Sequence, residues 1–122
     1  MLEIRAEAAA AAAWWADLLR AAGTGVAGDR LEEFERVLAL RIESLCQDAA
    51  WRPDIPTYGS CGRQVGSDPR PDDALVRAGR TAGVAAHLGQ LPPAVMWVNP
   101  GEVVVEAAGD HAPTQVWPPP MR

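Results

Sequence analysis

At 122 residues the chain has the length of one domain, enough to bury roughly two-thirds of its unfolded surface, so a core can form without disulfide or metal staples. Sixteen acidic residues against 11 basic ones give a net charge of −5, and the basic residues are spread along the chain, which argues against direct contact with nucleic acid. Every basic residue is arginine, so no side-chain amine exists for Schiff-base chemistry, acetylation or ubiquitin attachment.

From about Leu2 to Ala22 the chain reads as a helix, with Ala8, Ala11, Trp15, Leu18, Leu19 and Ala22 recurring on one face. Trp14 lies about 100° around from Trp15, and its environment is left open. Glu3, Glu7 and Asp17 interrupt what would otherwise pass for the apolar run of a signal peptide, so secretion is not expected. Glycines from Gly23 to Gly28 end the helix. Asp29 and Glu32 then stand at the spacing of a capping box, opening a second helix that carries Leu31, Phe34, Leu38, Ile42 and Leu45 to about Asp48. Two antiparallel helices joined by a short loop follow from this pattern.

After Trp51 the texture changes, because Pro53, Pro56, Gly59 and Gly62 forbid a helix and mark a loop entering a short strand. A third helix is expected from Asp72 to Thr81 and a short helical turn from Ala85 to Leu88. No Asp, Glu, Lys or Arg occurs from Thr81 to Gly101, yet Pro92, Pro93 and Pro100 break any membrane-spanning helix. Ala94 to Asn99 and Glu102 to Ala107 are strand-forming runs separated by Pro100-Gly101, a hairpin signal. Gln115 to Trp117 adds a candidate edge strand before Pro118-Pro119-Pro120 ends pairing. The expected organisation is one domain over 1–117 with a proline-rich tail over 118–122, of α+β class.

Several segments imitate chemistry. Gly23-Thr-Gly-Val-Ala-Gly28 has the spacing of a dinucleotide-binding turn, but it follows a helix where that turn requires a strand, so it reads as an interhelical connection. Ser60 or Cys61 on a tight turn could be a nucleophile, with His87 or His111 as the candidate base, but neither the spacing nor an orienting carboxylate is present. Cys46, Cys61, His87 and His111 would give a zinc site one ligand from each of four separate segments, without paired spacing. Two cysteines are too few for a disulfide framework, and a reducing compartment is the simpler reading. The acidic residues Asp29, Glu32, Glu33 and Glu35 complement the positive end of a helix dipole. The tail after Trp117 has prolines suited to a polyproline ligand but no P-x-x-P. Strand alternation puts Val95, Trp97 and Asn99 on one face and Met96 and Val98 on the other, and this alone leaves Trp97 equally open to core or interface.

Two segments carry a resemblance. Trp51, Pro53, Pro56, Gly59, Ser60 and Arg63 match the first box, and Leu91, Pro92, Trp97, Val98, Pro100, Glu102 and Val103 the second box, of the BTG/Tob antiproliferative family. Leu18-Leu19-Arg20 and Leu31-x-x-Phe34 resemble its two-helix start. The resemblance implies an α+β domain of two long antiparallel helices and short ones packed on a small antiparallel sheet. It implies a non-enzymatic adaptor, monomeric, cytoplasmic and nuclear, with no cofactor or metal. Such an adaptor binds the Caf-type deadenylase subunit of the Ccr/Not complex, promotes shortening of messenger poly(A) and restrains proliferation. Partner contacts would fall to Trp97, Val98, Asn99 and Glu102, with Gly62 and Arg63 from the first box. Gly62 stands where the family usually has Tyr and Asn99 where it has Asp, so an aromatic contact and a charge facing the partner are expected to be missing. Restoring both is expected to strengthen binding. The segment by which some relatives contact poly(A)-binding protein is replaced here by Ala112 to Pro120. The rival readings are a divergent interaction module acting as a transcription co-regulator with weakened or lost deadenylase binding, and a small hydrolase using Cys61 or Ser60.

Overall fold

The computed structural model describes residues 4–68, 70–107 and 112–119, so Leu2, Glu3, His111 and the chain beyond Pro119 lie outside the described residues. Helix α1 spans Arg5–Ala21, where alanine, the best helix former, dominates. Ala8, Ala11, Ala12, Trp15, Ala16 and Leu19 are buried, and the small side chains let this helix lie close to its neighbours. Leu18 falls at the edge of that stripe and is only half-buried, while Ala22 is exposed just past the helix end. Trp14 is also half-buried and meets Trp15 edge-on, with ring centroids 4.9 Å apart at 89°. Gly23, at φ 64°, supplies the left-handed residue that turns the chain.

Helix α2, Gly28–Asp48, buries Leu31, Phe34, Leu38, Ile42 and Cys46, with Leu45 half-buried beside them. Its start differs from expectation. Ala27, already extended at φ −60° and ψ 143°, is the residue before the helix and offers no side-chain cap. Asp29 is therefore inside the first turn, where its carboxylate accepts from the Arg30 amide at 2.9 Å and favours the helix dipole in place of a capping box.

Helix α3 runs Asp73–Ala82, one residue later than expected because Asp72 is its cap. One carboxylate oxygen of Asp72 accepts from Leu75 N at 3.2 Å, and the other accepts from Gly66 N at 2.7 Å. The Asp72 amide in turn donates to Gly66 O at 2.9 Å, so this residue clasps the third helix to the first strand. Burial raises its carboxyl above the usual carboxylate value, against the lowering effect of the amides that bond it. A 3-10 helix over Ala85–Gln90 follows, with Leu88 buried.

Four antiparallel strands, β1 (Gln64–Gly66), β2 (Ala94–Asn99), β3 (Glu102–Ala107) and β4 (Thr114–Trp117), form one sheet in chain order. β2 and β3 have the bounds read from sequence, and β4 starts one residue earlier. Asn99 pairs with Glu102 across Pro100-Gly101, and Gly101 at φ 78° takes the position that requires a positive φ after proline. Val65 is opposite Met96, Met96 opposite Val105 and Val98 opposite Val103, all buried against the helices. Helix α1 packs on β2, β3 and β4, α2 packs on α1, and α3 packs on α2. No described helix is long and apolar enough to cross a membrane.

Asp72→Ala removes the cap and leaves the Gly66 amide without its acceptor, and is expected to cost about 2 to 4 kcal/mol in urea unfolding. The raised carboxyl sets the sign of a pH effect. The folded state keeps this proton to higher pH than the unfolded chain does, so the Asp72 contribution to stability declines as pH rises through and above the ordinary carboxylate range. Asp72→Asn should flatten that component in the same measurement.

Candidate interaction surface

The loop from Trp51 to Gly59 has little regular hydrogen bonding of its own, being built on turns such as Ile55 N to Arg52 O at 3.0 Å and Tyr58 N to Ile55 O at 3.0 Å. What holds it is Arg63, at the end of a 3-10 helix over Ser60–Arg63 and fully buried. Its Nε donates to Val98 O at 2.6 Å. One terminal nitrogen donates to Ala50 O and to Tyr58 O at 3.0 Å, and the other to Pro56 O at 3.0 Å and Asn99 Oδ1 at 2.9 Å. All five guanidinium donors are thereby used, each on a neutral oxygen. Its central carbon lies 5.6 Å from the centroid of the Trp51 ring, itself buried. Burial lowers the Arg63 pKa from its usual value, yet the group stays charged.

This geometry places three of the expected partner-contact residues beneath the surface. Arg63, Val98 and Asn99 are all buried, so their side chains shape the surface from beneath. Val98 faces the helices, as alternation requires. Asn99 shares the outer face with Trp97 but sits at the strand end, under the loop that Arg63 ties down. Within the domain, the side chain at position 99 is an internal acceptor for Arg63. Gly62 is exposed and lacks the positive φ that would demand glycine, but a Cβ there would stand 3.1 Å from the Ala49 Cβ. A tyrosine at 62 has to displace that contact.

Trp97 points away from the helices, half-buried, with Val95 and with Val104 directly across the ladder. Exposed Gln64, Glu102, Glu106 and Gln115 surround them on neighbouring positions. The loop adds two exposed apolar side chains that sequence reasoning passed over, Ile55 and Tyr58. Tyr58 has the Arg52 guanidinium 5.8 Å from its ring, and Arg52 pairs with Asp54 at 2.8 Å. The available signal was the setting of these residues among turn formers, Ile55 between Pro53 and Pro56 and Tyr58 between Pro56 and Gly59, since such a loop has no core into which to fold them.

The other candidates fall apart spatially. Ser60 and Cys61 belong to a 3-10 helix packed on β2 and α2, whereas His87 belongs to the one packed on α3 and α1. Cys46 is buried in α2 and its thiol is pushed up to about 12 by burial, while Cys61 is exposed. The Gly23 to Gly28 stretch is the turn between α1 and α2. Among the described residues no three metal-ligating side chains gather.

Two measurements test this arrangement. Asn99→Asp should place a carboxylate against Arg63 and stabilise the fold by about 1 to 2 kcal/mol by replacing the neutral amide acceptor of the guanidinium with an anionic one, giving a buried ion pair. An aspartate paired this way has a depressed pKa, so the gain is present at neutral pH and lost on acidification through that pKa. Native alkylation should modify Cys61 alone, with Cys46 reacting only after denaturation; two rapidly modified thiols would show that the α2 interior opens.

A profile of the BTG family matches residues 4–117. No curated protein sequence matches. Among solved structures, the BTG/Tob domain of FOG-3 from C. elegans, in a doubly substituted form, superposes with a TM-score of 0.72 at 19% identity, covering 93% of this chain and 81% of that one. At that identity the likeness concerns the fold, and the α+β arrangement of helices on a small antiparallel sheet is the one shared. The extent of the profile match decides the family: the chain belongs to the BTG family, whose domain serves protein interaction.

Proposed function

We propose that the protein is a non-enzymatic adaptor that binds the Caf-type deadenylase subunit of the Ccr/Not complex, promotes poly(A) shortening and so restrains proliferation. The observation that carries this reading is the fastening of the first box onto the second by Arg63, beside an outward Trp97 on a rigid hairpin. A large aromatic at the centre of a patch with a polar rim is the usual form of a binding hot spot. Trp97 is the anchor, Glu102 and Gly62 lie at the margin, and Tyr58 and Ile55 extend the apolar area onto the loop. Arg63, Val98 and Asn99 position these groups. Tyr58 also offers an exposed aromatic on the loop that lacks a tyrosine at 62, which supports retention of binding over its loss.

Calorimetry with the purified deadenylase subunit tests the reading. Trp97→Ala should weaken binding by at least about thirty-fold, equivalent to ~2 kcal/mol, with the melting temperature little changed. Tyr58→Ala should weaken it less. Absence of binding by the unsubstituted protein would end the adaptor reading, and equal affinity for the Trp97 variant would move the interface elsewhere.

A further inference from the structure

Between α2 and α3, on the helical side of the domain, lies a groove of about 330 Å³ lined by Val37, Arg41, Arg77, Arg80 and Thr81. Asp73, in the first turn of α3, accepts from Arg77 Nε at 2.9 Å and lies 3.7 Å from the nearer terminal nitrogen of Arg41, so one carboxylate holds two guanidinium groups side by side. Arg80 has no ion pair among the described residues. Arg41 Nε is a buried donor with no acceptor among them. Glu33, one turn before Val37 on α2, is paired with Arg36. Three guanidinium groups against one carboxylate leave two positive charges here, in a chain whose net charge is −5. The lining is apolar at Val37, and Leu40, one turn further along the same helix, is 53% exposed.

We propose that this groove binds a phosphorylated side chain of a partner peptide. A phosphomonoester carries nearly two negative charges at neutral pH and three acceptor oxygens, which match the surplus charge and the planar donor forks of converging arginines. Val37 in the lining, with exposed Leu40 three residues further along the same helix, favours a peptide over a free ion, because apolar surface at and beside the groove gives neighbouring side chains somewhere to rest. Neither Trp97 nor the Arg63 loop takes part, so this contact is independent of deadenylase binding.

The test is an NMR titration of the whole chain, following the Arg41, Arg77 and Arg80 side-chain resonances and the hairpin amides. The probes are a phosphoserine peptide flanked by alanine and leucine, its unphosphorylated form, and inorganic phosphate. Saturable shifts at the three arginines with the phosphopeptide, at least tenfold weaker with either other probe, are expected. Arg41→Gln with Arg77→Gln should reduce phosphopeptide affinity at least tenfold while the hairpin amides stay in place. Arg80→Gln, which disturbs no ion pair, should reduce it as well, and Trp97→Ala should leave it unchanged. No saturable shift, equal affinity for inorganic phosphate, or indifference to the arginine substitutions would each overturn the proposal.

Discussion

The burial of Arg63 is the constraint on which the interaction surface depends. A guanidinium taken out of water loses its hydration and can be tolerated only if every donor finds an acceptor. Here the acceptors come from Ala50, Pro56, Tyr58, Val98 and Asn99, that is, from the loop and from the end of β2. The loop cannot leave without stranding the cation, and the cation cannot leave without freeing the loop. A segment with no strand or helix of its own thus acquires a single conformation, at a cost the domain recovers by fixing its surface.

Other polar side chains make comparable links at the ends of elements. Glu7, buried in α1, accepts from the Gly101 amide at 3.0 Å and so joins the first helix to the hairpin turn. Ser67 donates to Pro92 O at 2.6 Å and accepts from Ala94 N at 3.1 Å, aligning the entry to β2 with the exit from β1. Asp72 does the same for β1 and α3. Each satisfies backbone groups that the regular ladders leave unpaired, where an unmatched donor would cost about 1 to 3 kcal/mol. The apolar core sets how the layers stack, and these few groups set the register at which they meet.

The resulting domain has two chemically different sides. On the outer face of the sheet, an aromatic anchor and two loop hydrophobes sit within a rim that includes Glu102 and Glu106. On the helical side, three arginines line a groove whose only paired acid is Asp73 among the described contacts. The sheet and α1 separate the two, so they do not share a surface.

The periods of hydrophobicity were enough to determine the elements: the stripe through Trp15 and Leu19, that through Phe34, Leu38 and Ile42, and the two runs around Pro100-Gly101 needed only local geometry. Family membership was legible in the box residues for the same reason, since those prolines, glycines and tryptophans are close in sequence. Helix starts were less legible, because Ala27 precedes α2 by virtue of a backbone turn that Asp29 does not signal. Which box residues face outward was decided only in three dimensions. Arg63, charged and in a loop, reads as exposed, and Asn99 shares the outer face with Trp97; both are buried because acceptors from residues 13 positions before Arg63 and 36 after it converge on one guanidinium. Local sequence sets which side chains share a face. Long-range pairing sets which face is covered, and that is a property of the packed chain alone.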